Sequence, residues 1–402
     1  MFSQAMEPHP SGVLLPPGYT PLLDSAIEVL EADDRVRAAW VHGSLARGEG
    51  DALSDLDVIV AVDDDTLVEF GASWRERLDA ITPTVMARKS FGDAGSWLSI
   101  TPSCQRFDFW AEPVANVAES AVRDRHLLFD RDGLAPLVPP PLPPADPSPE
   151  KFEQLRGWYA SCAAVLGANP GPLLTTEVIH TLRWILYEAY VESNRPIEAK
   201  SVKRWSAKLT DAQRERLVVL PAEGDPAPVM VALDEVLGPL IGELPDINVG
   251  HAVIPPEGLI RGMHLLAEPE PSRARHVAEE FLAIHLYLTL VIHRDDWLLG
   301  HDGINLVRHL LYELDLEENG RVPATSPRDW DGRLTDEQRA ELLGIPTGPP
   351  TADGVIDGHL AVRAAFVVRG RAVLGDDWPS DMERAVCDRV DAHVDAYRAR
   401  AG

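Results

Sequence analysis

The spacing of apolar residues changes about one third of the way along the chain. In the first third, short β-rich apolar runs alternate with stretches in which apolar residues recur every three or four positions. This pattern predicts helices over Leu22–Leu30 and Thr66–Ile81 and strands over Val36–Val41, Asp57–Val62, Thr84–Phe91, Trp97–Thr101 and Gln105–Trp110. The first part of the chain is therefore predicted to be an α/β domain with a small mixed sheet and flanking helices.

A proline-rich run over Pro136–Pro149 follows this domain. Proline lacks the amide proton and fixes φ, so the run is predicted to be an extended, semi-rigid spacer. Beyond it, long helical patterns dominate, namely Phe152–Leu166, Thr175–Glu192, Val277–Ile292 and Ile304–Leu316. We expect four segments: a first domain over 1–135, a linker over 136–149, and two helical domains over 150–270 and 271–402.

An internal repeat is the reason for expecting two helical domains. The segment Val178–Pro221 aligns without gaps onto Gly303–Pro346, and about 17 of roughly 44 positions are identical. Each copy reads as a long helix, a loop, and a second helix that opens with Thr-Asp-x-Gln. That opening is typical of a capping box, with Thr210 or Thr335 as the N-cap residue. The C-terminal region is therefore predicted to be all-α and duplicated, so the whole chain is of the α+β class.

Composition and charge narrow the classes of partner. The chain has 402 residues, 37 Lys+Arg and 64 Asp+Glu, with a formal net charge of −27. Such a surface repels a polyanion, so we expect no nucleic-acid partner. No segment approaches the roughly 18 consecutive apolar residues of a membrane helix, and the N-terminal residues lack the positive region of a signal peptide. We expect a cytoplasmic protein without a membrane partner, and the sequence does not predict its oligomeric state.

Cysteine and histidine show no pattern of metal ligands. Cys104, Cys162 and Cys387 form neither a disulfide framework nor a zinc motif, which fits a reducing cytosol. The histidines, His180 and His285 among them, lack ligand spacing that would indicate a site. We expect most of them on helix surfaces or in helix caps.

The stretch Trp40–Val62 is where the sequence points to chemistry. An apolar strand runs into Gly43, a loop with further glycines follows, and the chain returns as a second apolar strand. Glycine directly after a strand lets the backbone turn sharply and approach a ligand closely. Ser44 offers a hydroxyl and an amide to a phosphate group, and Arg47 offers a charge-assisted contact to the same group. These residues are candidates for binding a phosphorylated ligand.

Three carboxylates are candidates for a metal site. Asp55 and Asp57 stand at i and i+2 of a strand, so both side chains point to one face. In the strand Gln105–Trp110, the apolar residues Phe107 and Phe109 are expected to face the core, which places Asp108 on the opposite face. Carboxylates together with substrate phosphates are the ligands that Mg²⁺ prefers. Asp108 is either a further metal ligand or the base that accepts a proton from an attacking hydroxyl.

The run HGSLARGEGDALSDLDVIV resembles the signature of the DNA polymerase β-type nucleotidyltransferase superfamily. With RFDFW downstream, it is most similar to the small-molecule branch, the aminoglycoside and lincosamide nucleotidyltransferases. The resemblance implies an adenylyltransferase-like enzyme that transfers AMP from ATP to a hydroxyl, with two Mg²⁺ ions and a role in antibiotic resistance. It also implies that Asp55 and Asp57 are metal ligands, that Asp108 is the third carboxylate of the catalytic site, and that Gly43 and Ser44 bind the triphosphate.

The lysines suggest which helical copy serves the site. Only five lysines occur in the chain, and three of them are Lys200, Lys203 and Lys208. The segment Glu198–Trp205 resembles a lysine-containing segment of the aminoglycoside adenylyltransferases, and the choice between Lys200 and Lys203 stays open. Lys200 has Thr325 as its counterpart in the second copy, so we expect the first copy to contribute Lys200 to nucleotide binding.

Two alternatives to small-molecule modification stay open. The first is a nucleotidyltransferase that acts on protein or RNA, although such enzymes are usually shorter and the charge disfavours RNA. The second is a retired transferase that only binds nucleotide, although all three carboxylates are present. The excess of acidic residues favours a cationic acceptor.

Overall fold

The computed structural model describes residues 5–89, 95–143, 145–195, 204–238, 273–319 and 330–401, and only the backbone of 330, 331 and 401. The chain forms two compact units. Unit 1 comprises residues 1–143 and 380–391, and unit 2 comprises residues 144–379 and 392–402. The domain boundaries expected from the sequence stay predictions.

Unit 1 is built around a six-stranded mixed sheet with the strand order β5-β6-β7-β4-β3-β8. Its strands are β3 (Val36–His42), β4 (Leu56–Val62), β5 (Met86–Lys89), β6 (Ser96–Ile100), β7 (Arg106–Pro113) and β8 (Arg125–Asp130). The pair β1 (Glu7–Pro8) and β2 (Leu14–Leu15) and the helices α1 (Thr20–Glu31), α2 (Gly43–Ala46), α3 (Leu67–Ala72) and α4 (Trp74–Ile81) complete the unit, together with residues 380–391. The predicted class, an N-terminal mixed sheet with flanking helices, is confirmed.

The two faces of β4 and β7 differ in what they bury. Phe107 and Phe109 are almost fully buried and pack with Trp74, whose ring stacks on Phe109 at a centroid distance of 3.8 Å. On the other face, Ile59 and Trp40 form a smaller apolar cluster. The predicted orientation of Phe107 and Phe109 toward the core is therefore confirmed, and β4 and β7 pair in parallel, which aligns their N-terminal ends.

Several element boundaries differ from those expected. The helix predicted over Thr66–Ile81 is two helices, because α3 ends at Ala72 and is followed by Ser73, whose hydroxyl donates to the carbonyl of Glu69. Strand β8 was not expected from the apolar pattern, because its side chains are only partly buried at the sheet edge. Backbone pairing with β3, and not a hydrophobic period, makes this segment a strand.

Unit 2 is helical throughout its described residues. Its helices are α5 (Pro149–Gly167), α6 (Pro172–Ser193), α7 (Asp211–Val219), α8 (Ala227–Leu237), α9 (Arg273–Arg294), α10 (Trp297–Glu318), α11 (Trp330–Arg333), α12 (Asp336–Gly344) and α13 (Ala352–Leu374), followed by the end of α14 (Ser380–Ala401). Helix α6 packs with α5 and α8, and α10 packs with α9 and α13. Within the described ranges, no helix is long and apolar enough to cross a membrane.

The repeat is visible in equivalent hydrogen bonds. In the first copy, the Arg183 guanidinium donates to the carbonyl of Leu217 at 2.8 Å, and in the second copy Arg308 donates to the carbonyl of Leu342 at 3.3 Å. The loop contact is also duplicated: the Asn194 side chain donates to Gln213 at 2.8 Å, and the Asn319 side chain donates to Gln338 at 2.8 Å. The predicted duplicated all-α region is therefore confirmed.

Both predicted capping boxes are present. Thr210 accepts a hydrogen bond from the amide of Gln213, and Thr335 accepts one from the amide of Gln338. We expect Thr210→Ala and Thr335→Ala each to lower the free energy of unfolding by about 1 kcal/mol, because one helical amide loses its acceptor. Urea unfolding followed by circular dichroism measures both, with Thr210→Ser and Thr335→Ser as controls. Equal stability of the Ala and Ser variants would contradict the prediction.

The histidines of unit 2 correct the expectation of surface or capping positions. His180, His285 and His301 are buried on α6, α9 and α10. Burial lowers the pKa of His301 to about 3, and it lowers the pKa of His180 and His285 well below the usual value. These side chains are therefore neutral at neutral pH and belong to the helical core.

Candidate active site

Gly43 lies at the turn from β3 into α2, where only glycine fits. Its φ is +71°, a conformation that side chains with a Cβ rarely adopt. A Cβ built on Gly43 would lie 2.6 Å from Oδ2 of Asp57, closer than nonbonded atoms approach. The turn therefore brings bare backbone against the carboxylate of Asp57, which explains the glycine that the sequence shows after the strand.

The three carboxylates converge at the ends of two parallel strands. In the register of β4 with β7, Asp57 is paired with Asp108, and Leu56 with Phe107. Asp55 directly precedes β4 and shares a strand face with Asp57 by alternation. Asp55 is buried, at 5% exposure, whereas Asp57 and Asp108 are partly exposed. The site is thus rooted in the sheet and open on one side.

The spacing of these side chains suits a hard divalent cation. One carboxylate oxygen from each of Asp55, Asp57 and Asp108 lies within 4.8 Å of the other two. Oxygen donors without His or Cys are the set that Mg²⁺ or Mn²⁺ takes, with ligand distances of about 2.1 Å for Mg²⁺. In the part of the chain that the structure describes, no second group of three potential ligands comes this close together. The residues present therefore fit a divalent metal.

Arg106 is a member of the cluster that the sequence did not suggest. Its Nε lies 3.6 Å from Oδ1 of Asp55, and its Nη2 lies 3.5 Å from Oδ2 of Asp108. Burial alone would lower the pKa of Arg106, but the charges of Asp55, Asp108 and Asp57 outweigh burial and raise it. The alternation of RFDFW already put Arg106 on the same strand face as Asp108, and this was the signal that could have identified it.

Tyr19 closes the cluster from the side of α1. The Arg106 amide donates to the Tyr19 hydroxyl at 3.1 Å, and Tyr19 is buried. Burial, together with the nearby charge of Asp55, raises the pKa of the phenol, so Tyr19 is neutral at neutral pH. Nothing in the local sequence of Tyr19 points to this position, because the contact joins segments far apart in the chain.

The other predicted ligand-binding residues have different surroundings. Ser44 lies in α2, and its carbonyl accepts a hydrogen bond from the amide of Glu49 at 2.9 Å. Arg47 forms ion pairs with Glu49 at 3.0 Å and with Asp124 at 3.3 Å. Contact between Arg47 and a phosphate therefore requires exchange of these carboxylates for the ligand. Lys200 lies outside the described residues, as does Lys203.

Two further side chains, those of His42 and Trp110, lie on the strands that carry the site. Burial lowers the pKa of His42 to about 4, with smaller contributions from the charges of Arg125 and Arg47, so this residue before Gly43 is neutral. Trp110 shares the strand face of Asp108, and 41% of it is exposed. An exposed indole on the carboxylate face offers a flat apolar surface beside the site. Trp97, by contrast, is buried and packs against Trp74.

Comparison with known proteins finds a family model that matches the first part of the chain. Residues 24–84, which include Gly43, Asp55 and Asp57, match the family model described as Polymerase beta, Nucleotidyltransferase. The chain is also similar to a solved structure of an aminoglycoside 6-adenyltransferase from Bacillus subtilis, at 13% identity over 55% of this chain and 87% of that chain. The TM-score of 0.23 is too low to establish a shared overall fold. No curated protein sequence matches the chain. Residues 24–84 thus correspond to a polymerase β-type nucleotidyltransferase domain, and the chain is a nucleotidyltransferase.

Proposed function

We propose that the chain transfers AMP from Mg-ATP to a hydroxyl group of a small molecule. The observation that supports this most strongly is the convergence of Asp55, Asp57 and Asp108 beside the backbone at Gly43. In the reaction, the hydroxyl oxygen forms a bond to the α-phosphorus, and the bond from that phosphorus to the bridging oxygen of pyrophosphate breaks. Pyrophosphate leaves, and the hydroxyl proton passes to a base.

Each carboxylate has a role in this proposal. Asp55 and Asp57 would hold the divalent metal, and Asp108 would complete its ligand set or accept the hydroxyl proton. Bound divalent metal supplies charge that stabilises the negative oxygens of the transferring phosphoryl group. The lack of a Cβ at Gly43 lets the backbone lie against the Asp57 carboxylate, and the amide and hydroxyl of Ser44 would be donors to the triphosphate.

For the acceptor we propose a cationic small molecule, such as an aminoglycoside or a lincosamide. The support is the similarity of the motif to that branch, the net charge of −27, and the exposed face of Trp110. An acidic surface raises the local concentration of a cationic acceptor, whereas it lowers that of an RNA end. The divalent metal and not the surface charge would then attract the polyanionic nucleotide.

The proposal is tested by incubating the protein with α-labelled ATP and Mg²⁺ against a panel of aminoglycosides and lincosamides. We expect label on at least one small molecule, a mass increase of one adenylyl group, and an equal amount of pyrophosphate. Parallel reactions contain GTP, CTP and UTP to identify the preferred nucleotide. Label on protein or RNA would overturn the small-molecule acceptor, and metal-dependent ATP binding without transfer to any acceptor would overturn the activity.

A further inference from the structure

We propose that Arg106 is a positioning residue that lowers the affinity of the carboxylate cluster for its divalent metal. The inference rests on the proposed function, because it concerns the same three carboxylates. Arg106 is the first residue of RFDFW, but the resemblance gives it no role, and the match over residues 24–84 ends before it. The proposal therefore assigns a role to a residue that the resemblance leaves unassigned.

The position of Arg106 is set by the sheet. It is the first residue of β7, two residues before Asp108 on the same strand face, and the parallel register brings it level with Asp55. Its guanidinium thus reaches two of the three carboxylates, at 3.6 Å from Asp55 and 3.5 Å from Asp108. The hydrogen bond that its backbone amide donates to the Tyr19 hydroxyl, at 3.1 Å, holds its backbone in place.

At these two contacts, the distances indicate that Arg106 acts on Asp55 and Asp108 through its charge. Charge-assisted N–H to oxygen bonds are usually about 2.7–2.9 Å long, whereas the two ion-pair distances of Arg106 are 3.5 and 3.6 Å. A cation at this separation still stabilises the ionised carboxylates, and it repels an incoming cation. Three carboxylates and one guanidinium carry a net charge of about −2, which a single divalent ion balances.

The charge of Arg106 has opposite effects on the metal-free and the metal-bound protein. In the metal-free protein, Arg106 offsets the repulsion among Asp55, Asp57 and Asp108 and so helps to keep them together. When metal is bound, the same positive charge opposes it. Removal of the charge should therefore destabilise the metal-free protein and tighten metal binding at the same time, a combination that a purely structural role does not produce.

The test is a titration of the full-length protein with Mg²⁺ at pH 8 without nucleotide, followed by calorimetry. We expect Arg106→Gln to bind Mg²⁺ on the order of tenfold more tightly than the unchanged protein, and to melt at a lower temperature without metal but gain more from added Mg²⁺. Arg106→Lys keeps the charge and should bind Mg²⁺ nearly as weakly as the unchanged protein.

A matched control is Arg125→Gln. The Arg125 side chain is also buried and pairs with a different carboxylate of the same sheet, that of Glu112, at 2.7 Å. It should lose stability without a change in Mg²⁺ affinity. Equal or weaker Mg²⁺ binding by a folded Arg106→Gln protein would overturn the inference. If Arg106→Gln does not fold, Arg106→Lys decides: tenfold tighter binding by that variant would overturn it. If the unchanged protein itself binds no Mg²⁺, that result would instead overturn the proposed function.

Discussion

Asp57→Asn should reduce nucleotidyl transfer at least about a thousandfold while leaving the fold intact. The substitution keeps the shape of the side chain but removes the charge that lies opposite Asp108 in the register and against the backbone of Gly43. A neutral amide oxygen is a poor ligand for Mg²⁺, and loss of about 4 kcal/mol of stabilisation in the transition state corresponds to a factor of about a thousand. Pyrophosphate release with the accepted substrate measures the effect, and calorimetry with Mg²⁺ measures the loss of metal.

The control for this variant is Asp63→Asn. Asp63 directly follows β4, at the opposite end from Asp57, and its side chain is 50% exposed in a loose 3.8 Å pair with Arg37. It should retain activity, because exposed pairs of this kind contribute little. An unchanged rate of pyrophosphate release in Asp57→Asn would contradict the proposed mechanism. Equal losses in the two variants would indicate a general effect of charge and not a metal ligand.

Gly43→Ala should lower activity by about a hundredfold, because the new methyl group would displace Asp57. The Cβ would stand 2.6 Å from the Asp57 carboxylate, so either the turn or the side chain must shift. A displacement of about 1 Å at a reacting centre is enough for a loss of this size. The φ of +71° adds a cost to stability of about 1 kcal/mol for any residue with a Cβ.

Gly48→Ala separates these two effects. Gly48 has nearly the same conformation, with φ +69°, but a Cβ there would meet nothing within 4 Å. Both variants should lose a similar amount of stability in thermal unfolding, and only Gly43→Ala should lose most of its activity and its Mg²⁺ affinity. Equal activity of the two variants would show that Gly43 serves only the turn and that its contact with Asp57 has no role.

Local pattern was sufficient for much of the fold. Spacing alone predicts the strands that contain Asp57 and Asp108, the long helices that precede and form each repeat copy, and both capping boxes. All of these are present. These features depend on residues close together in the chain, where periodicity and side-chain to backbone bonds decide the conformation. Strand β8 and the break at Ser73 were missed, because each depends on pairing or bonding that no short window displays.

The sequence likewise predicts only part of the candidate site. The spacing of Asp55 and Asp57 placed both on one strand face, and Gly43 before them predicted a close approach of the backbone. That Asp108 stands beside Asp57 depends on β7 pairing in parallel with β4 and antiparallel with β6. The sequence predicts candidate strands, but hydrogen bonds between distant segments decide which of them become neighbours.

The sequence by itself determined the class of chemistry, because the turn glycine and the paired aspartates lie within one short stretch whose local geometry is dictated by residue type. Only the tertiary structure decided the composition of the site. It added Arg106, which lies 3.6 Å from Asp55 and 3.5 Å from Asp108, and Tyr19, whose hydroxyl accepts a hydrogen bond from the Arg106 amide at 3.1 Å. It also paired Arg47 with the carboxylates of Glu49 and Asp124. The physical reason is that charge and burial act through space, so the affinity of a carboxylate cluster for metal depends on neighbours that folding, and not chain order, brings to it.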